Sequence, residues 1–142
     1  MRDEKFREKK ELEDIVNRLD NDLDAIIVEG FSDKIAMKKL GFNGKIFTSA
    51  ERTLEDLVED VSRGAKKVAV LTDFDEHGKK QNKKISRKLE KKIDVIRSWR
   101  RDFGSQLTST GRRSIEEVNP LFQDKDKKFV EAALDGLYFE PS

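Results

Sequence analysis

Two short apolar runs, each ending in carboxylates, restrict this chain more than any other feature. The first is Ala25-Ile26-Ile27-Val28 followed by Glu29-Gly30; the second is Val68-Ala69-Val70-Leu71-Thr72 followed by Asp73-Phe74-Asp75-Glu76-His77-Gly78. Apolar runs of this length, bounded by glycine and charge, read as fully buried strands. Each would deliver its acids at a strand's C-terminal tip, which is where open α/β sheets build their sites.

Spacing then suggests chemistry. Asp73 and Asp75 are one residue apart, and where a chain leaves a strand both side chains can converge on one cation. Carboxylate oxygens are hard ligands suited to Mg²⁺ or Mn²⁺, and Mg²⁺ takes one or two protein carboxylates while keeping waters and phosphate oxygens. Glu29, on a neighbouring tip, would face the same ion, either as a further ligand or as a general acid or base. The duller alternatives are that Glu29 favours a helix N-terminus and that the aspartates form turns.

Between the two runs the pattern alternates helix and strand. Ser32 is placed to cap a helix through Ile35, Ala36, Met37 and Leu40, with Gly41 as its C′ residue, and residues 45–48 form the second strand. Thr53 to Asp56 resembles a capping box, with Ser49 as the alternative cap, and Leu54, Leu57, Val58 and Val61 recur on one helical face. Gly64 closes that helix before a third strand over 67–72. A polar helix over 5–19 precedes this core, and a helix over 122–134 follows it. After Gly78, apolar residues from Ile85 to Leu107 keep near-helical spacing, which predicts one long or two consecutive helices; a short strand over 93–96 competes. Residues 115–118 form a last turn or short strand.

Residues Val28-Glu29-Gly30-Phe31-Ser32-Asp33, the helix ending in Leu40-Gly41-Phe42, and Leu71-Thr72-Asp73-Phe74-Asp75-Glu76-His77-Gly78 resemble the Toprim domain of topoisomerases, bacterial-type primases and some nucleases. In that family a lone Glu ends the first strand, and an Asp-x-Asp with a Gly three residues later ends the third. The resemblance covers about 24–120 and implies an α/β, Rossmann-like fold with a central, mostly parallel sheet flanked by helices. It implies Mg²⁺-dependent making or breaking of phosphodiester bonds, with Asp73 and Asp75 on the metal and Glu29 as acid or base. Family topoisomerases carry a tyrosine nucleophile, normally on a separate domain. The one tyrosine here is Tyr138, near the C-terminus, so a self-sufficient topoisomerase is not implied. Closest in scale are small stand-alone archaeal Toprim proteins and the Toprim half of the 5S ribosomal RNA maturases.

Composition sets the remaining bounds. The 142 residues suit a single domain, and no apolar run approaches the roughly 18 residues of a membrane span. A charged N-terminus without a secretory pattern and the absence of cysteine give the expectation of a cytoplasmic protein without disulfides or thiolate metal sites. The net charge of +1 hides a basic block: residues 78–101 hold eleven Lys or Arg against two acids. Lys79, Lys80, Lys83, Lys84 and Arg87 follow the acidic cluster directly and are placed to hold RNA or DNA phosphates; a solvated helix face is the alternative. Arg112 and Arg113 could clamp a phosphate. Glu76, Glu116 and Glu117 are candidates to complete a metal shell, whereas His77 and Trp99 are read as incidental and as core.

Three functions fit: a Mg²⁺-dependent nuclease or phosphodiester transferase, a non-catalytic nucleic-acid or nucleotide binding module of a larger complex, or a small-molecule phosphotransfer enzyme. Phosphatases of the last kind usually place Asp-x-Asp after the first strand rather than the third.

Overall fold

The computed structural model describes residues 2–122. A helix α1 (Arg2–Asp22) leads into strand β1 (Ala25–Val28), followed by α2 (Phe31–Lys39), β2 (Lys45–Thr48), α3 (Leu54–Gly64), β3 (Lys67–Val70), α4 (Glu76–Leu89), β4 (Asp94–Val95) and α5 (Arg97–Thr108), with a 3₁₀ segment over Ile115–Phe122. The expected helix over 122–134 lies, beyond Phe122, outside the described residues, as does Tyr138.

The four strands form one all-parallel sheet in the order β2-β1-β3-β4. Side-chain alternation along a strand explains how it is covered. Ile26 and Val28 of β1, with Ala69 and then Leu71 from β3 and its extension, enter a core built with α1, α2, α5 and the 3₁₀ segment. Ala25 and Ile27, with Val68 and Val70, enter the opposite core against α3 and α4. Every β1 residue is buried, and each fully buried aliphatic side chain contributes about 1.5–3 kcal/mol.

Right-handed crossovers account for the distribution of helices. The chain moves from β1 outward to β2, then returns across β1 to β3 and on to β4, so α2 lies on the face opposite α3 and α4. The winding direction therefore reverses between β1 and β3, and a crevice at their carboxyl ends is the place where such sheets bind ligands.

Local expectations fare unevenly. The first two strands and the Thr53 cap, whose hydroxyl accepts from the Asp56 N–H at 3.1 Å, are as the pattern predicts, and Gly41 has a φ of +107°. The α2 cap differs. Gly30, not Ser32, is the N-cap residue, and the Asp33 carboxylate accepts its N–H at 3.0 Å, so the helix starts at Phe31. The long helical reading after Gly78 gives way to the competing one: α4 stops at Leu89, β4 adds an edge strand, and α5 begins at Arg97. The Asp94 N–H bonding to the Lys66 carbonyl and the Ile96 N–H bonding to the Val68 carbonyl pull this segment onto the sheet edge.

Candidate metal and nucleic-acid site

β1 and β3 pair through Ile27 and Val70, and the Leu71 N–H continues the ladder to the Ile27 carbonyl at 2.7 Å. The strand ends thus deliver Glu29 and Asp73 next to each other in the crevice where the winding reverses. The Glu29 carboxyl lies close enough to that of Asp73 to oppose its ionisation. Glu29 Oε2 is buried without a hydrogen-bond donor among the described residues.

Asp73 shows how concentrated the negative charge is. Burial first, then the adjoining Glu29 carboxyl and the charges of Glu29, Asp33 and Asp75, push its carboxyl up to about 8. Asp33 was not among the expected site residues. It is buried and accepts N–H bonds from Gly30 at 3.0 Å and Glu116 at 2.8 Å, tying the β1–α2 turn to the 3₁₀ segment. Burial, with the charge of Glu29, holds its carboxyl above the usual range despite those two donors. Its position in the first turn of a helix after Glu-Gly was the available signal.

Asp75 is exposed and is the N-cap of α4, its Oδ1 accepting the Gly78 N–H at 2.8 Å. Gly78 explains the glycine three residues after Asp75. A Cβ there would lie 1.8 Å from the Asp73 carbonyl oxygen, so the helix can pass beneath the Asp73 backbone only without a side chain. Thr72, fully buried, donates its hydroxyl to the Gly78 carbonyl at 2.9 Å and locks the same turn. The need at Gly78 is room rather than a left-handed φ.

Arg100 of α5 holds the other side of the turn. Its Nη1 donates to the carbonyls of Val70 at 3.1 Å and Thr72 at 2.7 Å, and its Nη2 to that of Asp73 at 2.9 Å. The guanidinium lies 4.4 Å from the Phe74 ring centroid. Burial pushes its pKa down to about 10, with the Asp73 charge acting in the opposite sense. Within the basic block its sequence resembles that of its neighbours, and only the start of α5 at Arg97 aims it at β3.

The expected cationic residues are not gathered on one surface. Lys79, Lys80, Lys83, Lys84 and Arg87 are exposed along α4, but Lys79 lines a cavity shared with α5, whereas Lys84 faces the groove toward α3. Arg112 is drawn into the fold instead of toward a phosphate: Nε and Nη2 bond the two Glu8 oxygens at 2.8 and 3.1 Å, and Nη1 bonds the Glu117 carbonyl. Arg113 lines the α4–α5 cavity. Glu117 accepts the Arg113 N–H at 2.6 Å, and Glu76 projects into solvent with Lys79 3.9 Å away. His77 and Glu116 are exposed, and the Trp99 indole donates to Asp22 at 2.7 Å while packing against the core.

Among the described residues no three His, Cys, Asp or Glu side chains close into a ready-made metal cage. The donor set still fits a hard divalent cation. Mg²⁺ needs only one or two protein carboxylates, and a crowded acidic crevice with an orphaned carboxylate oxygen at Glu29 is relieved by a positive charge.

A buried parallel sheet with Glu at one inner strand tip and Asp-x-Asp at the next is the arrangement of a Toprim domain. The Toprim family model matches residues 24–97, more than half of the chain, and the chain belongs to that family. Among its relatives are UPF0292 proteins of archaea. That of Pyrococcus abyssi is 31% identical over 94% of this chain and 88% of its own length. Those of Pyrococcus furiosus (30% identity, 84% of this chain and 90% of the relative) and Thermococcus onnurineus (32%, 80% and 84%) are similar. A solved structure of a protein from Aquifex aeolicus matches with a TM-score of 0.58 at 26% identity, covering 78% of this chain and 94% of that one. Toprim domains generally bind Mg²⁺ and serve metal-dependent functions on nucleic acids. No helix among the described residues is long and apolar enough to cross a membrane.

Proposed function

We propose that the protein is a Mg²⁺-dependent enzyme that cleaves or transfers phosphodiester bonds of RNA or DNA, with Mn²⁺ as an alternative ion. The observation that carries this reading is the meeting of Glu29 and Asp73 at the β1/β3 crevice, with Glu29 Oε2 buried and unpaired. Asp73, and the Asp75 oxygen not spent on capping α4, would hold the ion. When bound, it would polarise a phosphoryl oxygen and offset charge developing there.

Glu29 is placed for proton transfer. Its carboxylate lies beside that of Asp73, and it would take a proton from an attacking hydroxyl or return one to a leaving oxygen. Thr72, Gly78 and Arg100 keep the Asp73 backbone fixed, so that the acids are positioned before substrate arrives. We assign the chain as one domain with its Toprim-like core over about 24–120, against which α1 packs.

The test is incubation of end-labelled RNA and DNA with the full chain and Mg²⁺, beside Asp73→Ala and Glu29→Gln. Cleaved or extended product that both substitutions abolish supports the enzyme reading; product retained by Asp73→Ala contradicts it. The commitment of Asp75 to a helix cap favours a second reading, metal-assisted binding without turnover. That reading requires salt-sensitive binding with no product under the same conditions.

A further inference from the structure

Beside the carboxylate crevice, a cavity of about 570 Å³ opens between α4 and α5. Lys79, Arg97, Arg100, Arg101 and Arg113 all line it, Phe74 forms part of its wall, and none of its described lining residues is acidic. Five cations around one concavity give it a positive potential that favours an anion there. The cavity and the crevice share the turn that carries Asp73, Phe74 and Asp75, since Phe74 separates the two acids and Arg100 grips the carbonyls of Thr72 and Asp73.

The cations differ in how far they are already engaged. Arg97 pairs with Glu90 at 2.6 Å, and Arg101 lies 3.4 Å from Asp102, both on the exposed surface. Arg100 keeps two of its five N–H groups after bonding β3. Arg113 is the most telling. Its N–H is held by Glu117 at 2.6 Å and its carbonyl accepts the Phe74 N–H at 2.7 Å, yet its guanidinium has no partner among the described residues. A fixed backbone with an unspent guanidinium at the edge of a cationic cavity suits a tetrahedral oxyanion, whose oxygens match that fork. Cavities of this size also take the group attached to such an anion.

We infer that the α4–α5 cavity binds a phosphate group of the substrate through Arg101, Arg113, Lys79 and Arg100, and that this pocket, rather than the outward face of α4, sets the path of a nucleic-acid strand past the carboxylates. This deepens the proposed function and rests on it for the identity of the strand. The pocket itself can be tested without metal. The phosphate can belong to a polynucleotide or to a free nucleotide, and the two sources are separable.

The experiment measures binding of the full chain to short labelled single-stranded RNA and DNA in EDTA, over a range of salt, by fluorescence anisotropy. Wild type is compared with Arg101→Gln/Arg113→Gln, with Lys79→Gln, and with Lys83→Gln/Arg87→Gln on the outward face. Circular dichroism confirms folding, and calorimetry with adenosine monophosphate provides the free-nucleotide arm. The pocket double substitution should weaken strand binding about tenfold or more and reduce the salt slope by about two, with Lys79→Gln reducing it by about one. The outward pair should cost less than the pocket pair. Loss confined to oligonucleotides identifies a strand phosphate; monophosphate binding that the pocket variant abolishes identifies a nucleotide, and either outcome supports the pocket. Equal or larger losses from Lys83→Gln/Arg87→Gln, or binding of neither ligand by the wild type, overturns it. A separate Mg²⁺ titration of the wild type reports on the carboxylate reading, so the two can fail independently.

Discussion

Glu8 on α1 and Asp73 at the end of β3 are carboxylates withdrawn from water, and their surroundings drive them in opposite directions. At Glu8, burial raises the pKa, but hydrogen bonds from Arg112 and Thr110 and the Arg112 charge outweigh it and hold the carboxyl below its usual range. At Asp73 burial and the neighbouring Glu29, Asp33 and Asp75 all push upward and outweigh the nearby Arg100. The first is a structural clamp joining the N-terminal helix to the loop after α5, with its lone pairs satisfied. The second is a crowd of carboxyls whose joint ionisation the fold opposes. Carboxyls held from ionising in this way, in a crevice where the sheet's winding reverses, are the physical mark of a site rather than of scaffold.

The sharpest way to break the contrast is to remove what builds each side. Gly78→Ala forces a methyl against the Asp73 carbonyl, where the space is 1.8 Å. It should cost about 3 kcal/mol in urea unfolding and also weaken Mg²⁺ binding, because the Asp73 turn must move. Arg112→Ala leaves Glu8 buried without its cation and should destabilise by about 2 kcal/mol, while Mg²⁺ affinity measured on the folded protein stays unchanged. Stability without affinity in one variant, and both in the other, would separate clamp from site.

Asp73→Asn tests the opposite sign. At neutral pH the raised Asp73 carboxyl keeps a proton that the unfolded chain gives up, which favours unfolding, so Asp73→Asn should raise the unfolding free energy in EDTA by about 1 kcal/mol while lowering metal affinity. An unchanged or lower value would mean that the acids are not in conflict. The smallest effect concerns pH. Because the folded pKa of Glu8 is depressed, its stabilising contribution is present above the ordinary glutamate pKa and is lost as pH falls through the folded value. Glu8→Gln should therefore flatten the acid limb of the stability curve below about pH 4.5, relative to wild type.

The same contrast explains what could be read from the chain. The acids at the strand tips were legible because buried runs such as Ala25 to Val28 and a cap such as Thr53 are local signals, carried by neighbouring residues. The break between α4 and α5 was harder to see. Ile85, Leu89, Ile93, Ile96, Trp99, Phe103 and Leu107 keep helical spacing through it, and a two-residue edge strand is too short to show a period of two. That break decides which way Arg97, Arg100 and Arg101 point, so the basic block was visible as charge while the cavity it lines was not. Pairing of Glu8 with Arg112 spans 104 residues, and no local pattern announces it. Arg112 and Arg113, adjacent in sequence, have different surroundings for the same reason.

The most direct test of the central claim is Mg²⁺ titration by calorimetry of the wild type and of Glu29→Gln, Asp73→Asn and Asp75→Asn. The account predicts saturable binding to the wild type, abolished in Asp73→Asn and weakened in the other two. Equal binding by all four proteins, or none by the wild type with or without nucleic acid, would contradict it.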